Sequence, residues 1–293
     1  MVDIREYLAQ RRAMVDAALE ARMPPADTRP AVLHEAMRYS VAAGGKRLRP
    51  IICLAAAEAI GAPVERALLP ALAIEILHTY TLIHDDLPCM DDSGLRRGRP
   101  TCHVAYGEAN ALLAGDALLT LAFEWLAEAP APAPYPPGQI ALELARAAGG
   151  RGVVGGQVED LAAEQAQPDA NRLEFIHIHK TAVLFQAAAC MGAVAGGARP
   201  DQYETLARYG RQLGLAFQII DDLLDATATE RELGKPAGHD REQGKLTYVA
   251  VHGLAASRAR SAALIAESAS AARALGPAAE PLVALAESLR PHT

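Results

Sequence analysis

Two clusters of aspartate, Asp85-Asp86-Leu-Pro-Cys-Met-Asp91-Asp92 and Asp221-Asp222-Leu-Leu-Asp225, lie about 130 residues apart, and each closes an apolar stretch. Carboxylates at the ends of greasy segments are costly to bring together unless a cation sits between them. An all-oxygen ligand set with no matching His or Cys favours magnesium, and magnesium points to phosphates. A chain of this kind must therefore fold so that two distant segments face one cavity. The plainer alternative, two solvated acidic faces, fits poorly with Leu82-Ile83 before the first cluster and Phe217-Gln-Ile-Ile before the second.

The clusters differ in local geometry. At about 100° per residue, Asp221 and Asp225 are about 40° apart on a helix and share a face. Asp85 and Asp91 would be about 240° apart on one continuous helix, so Pro88 must bend the chain if both are to meet one metal. Helical spacing runs over 3–21, 30–43, about 50–60 and 68–86, with Gly44-Gly45 breaking the pattern before Lys46-Arg47-Leu48-Arg49-Pro50. Further helices read over 138–147, 171–195, 200–224 and 255–289, with breaks at Gly196-Gly197 and Gly234-Lys235-Pro236. The proline-rich stretch 129–138 is read as a surface loop, because the metal argument needs both sides of it in one site. These readings give an all-α chain forming one domain over 1–293.

Composition narrows the function classes. Hydrophobic residues make up 51% of the 293 positions and aromatics only 4%, a balance that favours packed helices. A net charge of -7 supplies no basic groove for nucleic acid. Cys53, Cys89, Cys102 and Cys190 are scattered without metal-ligand spacing and read as reduced thiols of a cytoplasmic protein. No apolar run approaches the length of a membrane span, and the first 22 residues lack a signal core. Lysine usage adds an independent hint. Only four of 28 basic residues are lysine, namely Lys46, Lys180, Lys235 and Lys245, and three of them follow glycine, a context in which backbone can approach an anion.

Taken together, Gly-Gly-Lys46-Arg-Leu-Arg49-Pro, His78, the first aspartate cluster with Leu95-Arg96-Arg97-Gly98, Gly155-Gly156-Gln157, His179-Lys180-Thr181, Phe217-Gln218-x-x-Asp221-Asp222-x-x-Asp225 and Gly-Lys245 resemble the trans-prenyl diphosphate synthases, in family order. The nearest type is the bacterial farnesyl diphosphate synthase. The resemblance implies a single-domain isoprenoid synthase fold, helices around a deep central cavity, and a homodimer. It also implies condensation of an allylic diphosphate with isopentenyl diphosphate through ionisation, carbon-carbon bond formation and proton loss.

Residue roles follow from the same resemblance. Magnesium would be held by Asp85, Asp91 and Asp221, with Asp86, Asp92, Asp222 and Asp225 as partners or water-mediated ligands. Arg96, Lys180, Lys235 and Lys245 would hold the allylic diphosphate, and Lys46, Arg49, His78 and Arg97 isopentenyl diphosphate. The carbonyl of Lys180, the hydroxyl of Thr181 and the amide oxygen of Gln218 would face the carbocation, and the released diphosphate would take the proton. Product length is expected to be set by Tyr80, five residues before Asp85, with Thr81 beside it, giving farnesyl diphosphate in preference to geranylgeranyl diphosphate.

Two other classes are conceivable. A helical His-Asp metal phosphohydrolase could use His84-Asp85 with His78 or His34 and Asp221, but it leaves Gly-Gly-Lys46 and the second set of acids unexplained. A non-catalytic partner subunit is disfavoured by two intact aspartate clusters, and in a terpene cyclase the isopentenyl-binding residues would be idle. Leu246 and Val249 stand where Ser or Thr and Pro are common in the family, and the ending Leu289-Arg-Pro-His-Thr293 lacks the basic tail of many relatives. These departures bear on closure of the site more than on the reaction class.

Overall fold

Alanine sets the architecture. Where side chains are small and aliphatic, helices bury whole faces against one another at short axial separation. A computed structural model describes residues 2–164, 167, 169–227 and 245–290. Its helices are α1 (Ile4–Arg22), α2 (Ala31–Ala42), α3 (Leu48–Ala59), α4 (Glu65–Asp85), α5 (Cys102–Tyr106), α6 (Glu108–Glu128), α7 (Gln139–Ala148), α8 (Val153–Ala163), α9 (Ala170–Ile176), α10 (Val183–Gly196), α11 (Pro200–Thr227), α12 (Tyr248–Arg273) and α13 (Glu280–Ser288). The alanine-rich pair α3 and α10 is buried almost throughout and packs together. Around it, α4 lies along α6, and α11 runs between α10 and α12.

Two irregular pieces place functional residues. Between α9 and α10 the helix widens into a π-turn over His177–Ala182, which carries His177, Lys180 and Thr181. Such turns hold one extra residue and recur at functional sites. After α4 a two-stranded ribbon pairs Leu95 with Pro100 and Arg96 with Arg99. Arg97 and Gly98 form its tip, both with positive φ (55° and 74°), as a two-residue mirror-image turn requires.

The structure differs from the sequence reading in several elements. The single helix expected over 171–195 is interrupted by the π-turn, whose wider spiral leaves the helical pattern of side chains almost intact and so hides it. The helix expected over 255–289 is preceded by a short helical stretch from Tyr248, set off from it by a non-helical Gly253 (φ 77°), and it breaks at Gly276-Pro277. Helices α5, α6 and α8 had no counterpart in the reading. In α8 the pair Gly155-Gly156 masked helical character; a Cβ on Gly156 would fall 2.3 Å from the Lys180 backbone nitrogen, so glycine is what lets α8 press against the π-turn. The stretch 129–138 is a surface loop joining α6 to α7, anchored by the Tyr135 hydroxyl donating to the Ala198 carbonyl (2.9 Å).

The expectation that no segment is apolar enough to cross a membrane needs correction. By length and hydropathy α4, α6 and the continuous Ala170–Gly196 rod all qualify. The windows in α4 and the rod are 72% buried inside the protein, so their apolarity is spent on the core. That of α6 is 39% buried, with Leu112 and Leu113 turned outward.

Candidate active site

A cavity of about 250 Å³ opens where α4, the ribbon, α8, the π-turn, α11 and residues 245–247 converge. Its walls bring together Asp85, Asp91, Arg96, Lys180, Thr181, Gln218, Asp221 and Lys245, which are 130 and more residues apart in the extreme case. Asp160, Asp222 and His177 join them. The chain does turn at Pro88. The Asp91 N–H donates to the Asp85 carbonyl (2.9 Å) and the Asp92 N–H to that of Leu87 (3.1 Å), folding the second half of the first cluster back over the end of α4.

Opposite charges alternate around this cavity. Lys180 Nζ meets Asp160 Oδ2 at 2.5 Å, and Lys245 Nζ meets Asp91 Oδ1 at 3.2 Å. Burial works against the Lys180 ammonium, but Asp160 and Asp85 together raise its pKa. Burial pushes the Asp85 carboxyl up to about 6; Lys180 opposes that rise and Asp91 reinforces it. A chain of hydrogen bonds runs from the Thr181 hydroxyl to Gln218 Oε1 (2.7 Å) and from Gln218 Nε2 to Asp222 (2.9 Å). Asp222 is buried and also accepts from the Tyr248 N–H (2.6 Å), with His177 at 3.4 Å, so it ties α11 to the start of α12.

Two residues expected among the metal's partners, Asp86 and Asp225, do not line this cavity. The Asp86 carboxylate is buried and accepts three bonds from Arg96 at 2.7–2.9 Å; it does not line the cavity. Arg96 Nε and Nη2 are thereby occupied by protein, while the side chain still borders the cavity. Asp225 is buried on the inner side of α11 and does not line the cavity either. Lys235 lies outside the described residues. Asp160 and His177 went unassigned in the sequence; the acid three residues after Gly155-Gly156-Gln157 was the available signal for Asp160.

A second polar region adjoins the first through α4. Arg49 Nη1 and His78 Nε2 are 3.2 Å apart, Arg49 also lies over the Phe185 ring (4.7 Å), and Lys46 faces the Phe217 ring (5.8 Å). Arg97 reaches over Gly45, where a Cβ would strike its guanidinium at 2.7 Å. Burial lowers the Arg49 pKa to about 10, with Arg97 adding to the effect, and burial plus Arg49 and Arg97 hold His78 far below its ordinary range. Arg49 and Arg97 thus form a cluster of like charges with a neutral His78 between them.

The donor set fits a hard divalent cation: Asp85, Asp91, Asp160 and Asp221 offer only carboxylate oxygen. Among the described residues, no three Asp, Glu, His or Cys side chains converge closely enough to hold a metal unaided. Ligands from a bound anion would complete the shell.

A family model described as polyprenyl synthetase matches residues 30–276. The chain is 48% identical over 261 residues to geranylgeranyl pyrophosphate synthase 11, chloroplastic, of Arabidopsis thaliana, covering 87% of this chain and 72% of that protein. It is 47% identical over 290 residues to synthase 9 of the same plant, covering 97% and 80%. Among solved structures it superposes on an FPP/GFPP synthase from Zymomonas mobilis with TM-score 0.86 and 36% identity, covering 99% of both chains. A geranyltransferase from Helicobacter pylori, complexed with magnesium and isoprenyl diphosphate, gives TM-score 0.85 and 33% identity over 99% of this chain and 97% of that one.

Proposed function

This chain belongs to the polyprenyl synthetase family and is a prenyltransferase, and from that premise we propose that it condenses isopentenyl diphosphate with dimethylallyl or geranyl diphosphate to make farnesyl diphosphate. The observation that carries the reading is the joining of two unlike charged regions by one helix, α4. One is a carboxylate-lined cavity with two lysines, suited to a metal-bound diphosphate that leaves. The other is a cluster of Arg49, Arg97, His78 and Lys46, suited to a diphosphate that stays.

The residues divide the work accordingly. Asp85, Asp91 and Asp221 would hold magnesium, which when bound stabilises the negative charge that grows on the departing diphosphate. Lys180 and Lys245 hold the oxygens of that diphosphate, exchanging Asp160 and Asp91 for the incoming anion. As the allylic C–O bond breaks, the Thr181 hydroxyl oxygen, the Gln218 carbonyl and the Lys180 backbone carbonyl present dipoles to the cation without a nucleophile strong enough to trap it. The isopentenyl double bond attacks the allylic carbon, and the released diphosphate takes the proton.

Product length is assigned to Tyr80. Its ring is 6% exposed and meets the His84 ring edge-on at 5.5 Å, and His84 Nε2 lies 3.0 Å from the Leu112 carbonyl of α6. This bulk, about a turn and a half below Asp85 on α4, is read as the floor beneath the growing chain. Thr81 turns its hydroxyl back to the His78 carbonyl (2.8 Å). Geranylgeranyl diphosphate is the second reading, favoured by the names of the plant relatives. The outward apolar face of α6, with Leu112 and Leu113, is assigned to a second copy of the chain, and the protein is assigned to the cytoplasm.

The experiment is direct. The purified chain is incubated with magnesium, isopentenyl diphosphate and each allylic primer in turn, and product length is read by chromatography. A fifteen-carbon product supports the assignment, a twenty-carbon product moves it to the second reading, and absence of condensation with every primer removes it.

A further inference from the structure

Arg47 stands between two residues assigned to substrate, Lys46 and Arg49, yet points away from both. Its backbone is left-handed (φ 51°, ψ 35°), a conformation that a residue with a side chain adopts only when its surroundings enforce it. The enforcement is visible. Nη1 donates to Glu75 Oε1 (2.6 Å), Nε to Asp16 Oδ1 (2.8 Å) and Nη2 to the Val41 carbonyl (2.7 Å), with the side chain only 3% exposed. The guanidinium therefore spans three elements, α4, α1 and the end of α2, at the point where the chain enters α3.

Glu75 is as buried as its partner, with 4% of its side chain exposed, and lies three residues before His78 on α4. Its negative charge acts on Arg49 and Arg97 as well as on Arg47, favouring the cationic form of each. One carboxylate thus sits beneath three arginines, bonded directly to the one that does not face substrate. A buried ion pair is fixed in geometry because neither partner can be abandoned without leaving a charge in low dielectric.

We infer that Arg47 and Glu75 are positioning residues that shape the isopentenyl diphosphate pocket without touching the substrate. Their bond holds the 44–47 turn in its left-handed form, which sends Lys46 one way and Arg49 the other onto His78. Asp16 extends the device to α1, a helix that lies before the residues matched by the family model. The inference rests on the assignment of Lys46, Arg49, His78 and Arg97 to isopentenyl diphosphate.

The test uses full-length protein and calorimetric titration with isopentenyl diphosphate, alongside steady-state KM values for both substrates. Glu75→Gln, which keeps size and one acceptor but removes the charge, is expected to weaken isopentenyl diphosphate about tenfold and change the allylic KM by less than about twofold. The double variant Arg47→Gln/Glu75→Gln leaves no lone buried charge, so it is expected to recover melting temperature but not isopentenyl affinity. Asp16→Asn, on the partly exposed side, breaks one bond and is expected to weaken the same ligand about threefold. Equal effects on both substrates, or wild-type isopentenyl affinity in the double variant or in Asp16→Asn, would overturn the inference. Should Glu75→Gln fail to fold, the Asp16 result decides. Wild-type protein that binds no isopentenyl diphosphate would instead remove the functional assignment on which the pair depends.

Discussion

The two charged regions joined by α4 are built on opposite imbalances. Around Asp85 and Asp91 there are more acids than bases, and burial drives the Asp85 carboxyl up to about 6. Around Arg49 and Arg97 bases outnumber acids, and burial drives Arg49 down to about 10. On the proposed reading the first region would be balanced by cations and the second by an anion. On the proposed assignment, a substrate that arrives with metal and one that arrives without it would be sorted by charge before any shape is read.

The sharpest way to break this comparison is to remove an acid. Asp85→Ala or Asp221→Ala is expected to lower kcat by at least about a hundredfold, the scale of one strong transition-state electrostatic contact, with circular dichroism unchanged. A near-normal rate in either variant would withdraw that residue from the metal site.

Exchanging the substrates sharpens the comparison further. Lys46→Ala or Arg49→Ala is expected to raise the KM for isopentenyl diphosphate about tenfold or more with little effect on the allylic KM, and Lys180→Ala to do the reverse. Lys180 also holds Asp160, so its loss is expected to depress kcat as well. Steady-state kinetics with each substrate varied in turn would expose a shared pocket as parallel changes.

Product length comes next. Tyr80→Ala removes the ring that abuts His84 and is expected to shift the product from fifteen carbons towards twenty or more. An unchanged product profile by chromatography would place the floor of the cavity on another residue.

The smallest effect is one of stability. Asp85 takes up its proton more readily in the folded chain than in the unfolded one, at about 6 against 3.8. Its contribution to stability is thus fully present below the lower value and lost as pH rises through the higher. Asp85→Asn, which mimics the protonated form, is expected to raise the melting temperature of the metal-free protein at pH 8, by a free energy on the order of 3 kcal/mol. The gain should fade on acidification towards about pH 4. Scanning calorimetry across that range measures it, and a variant less stable than wild type at pH 8 would contradict the burial argument.

Much of this was legible before any coordinates. Residues whose chemistry is unusual for their setting, such as paired acids after Leu82-Ile83 or rare lysines after glycine, announced themselves, and the structure gathers most of them at one cavity. What stayed hidden depends on pairing between distant elements. Nothing local to Asp86 says that Arg96 will engage it from the ribbon, nothing near Arg47 names Glu75, and the helical character of α8 is concealed by the glycines that let it pack. Helix α6 was missed because its outward leucines blur the two-sided pattern from which a surface helix is read.

The π-turn has a consequence for how this chain can vary. Upstream of it α9 faces solvent and α8; downstream, α10 lays an alanine surface on α3. Within it, Lys180 and Thr181 look into the cavity. These three orientations are reconciled by a single surplus residue. Losing one position between His177 and Ala182 would let the segment close into a regular α-helix with α9 and α10 still aligned, but Lys180 and Thr181 would no longer be set by the wider turn. The cost of such a deletion therefore falls on the cavity and not on the packing of α10 against α3, so the chain is expected to stay folded while its activity is lost.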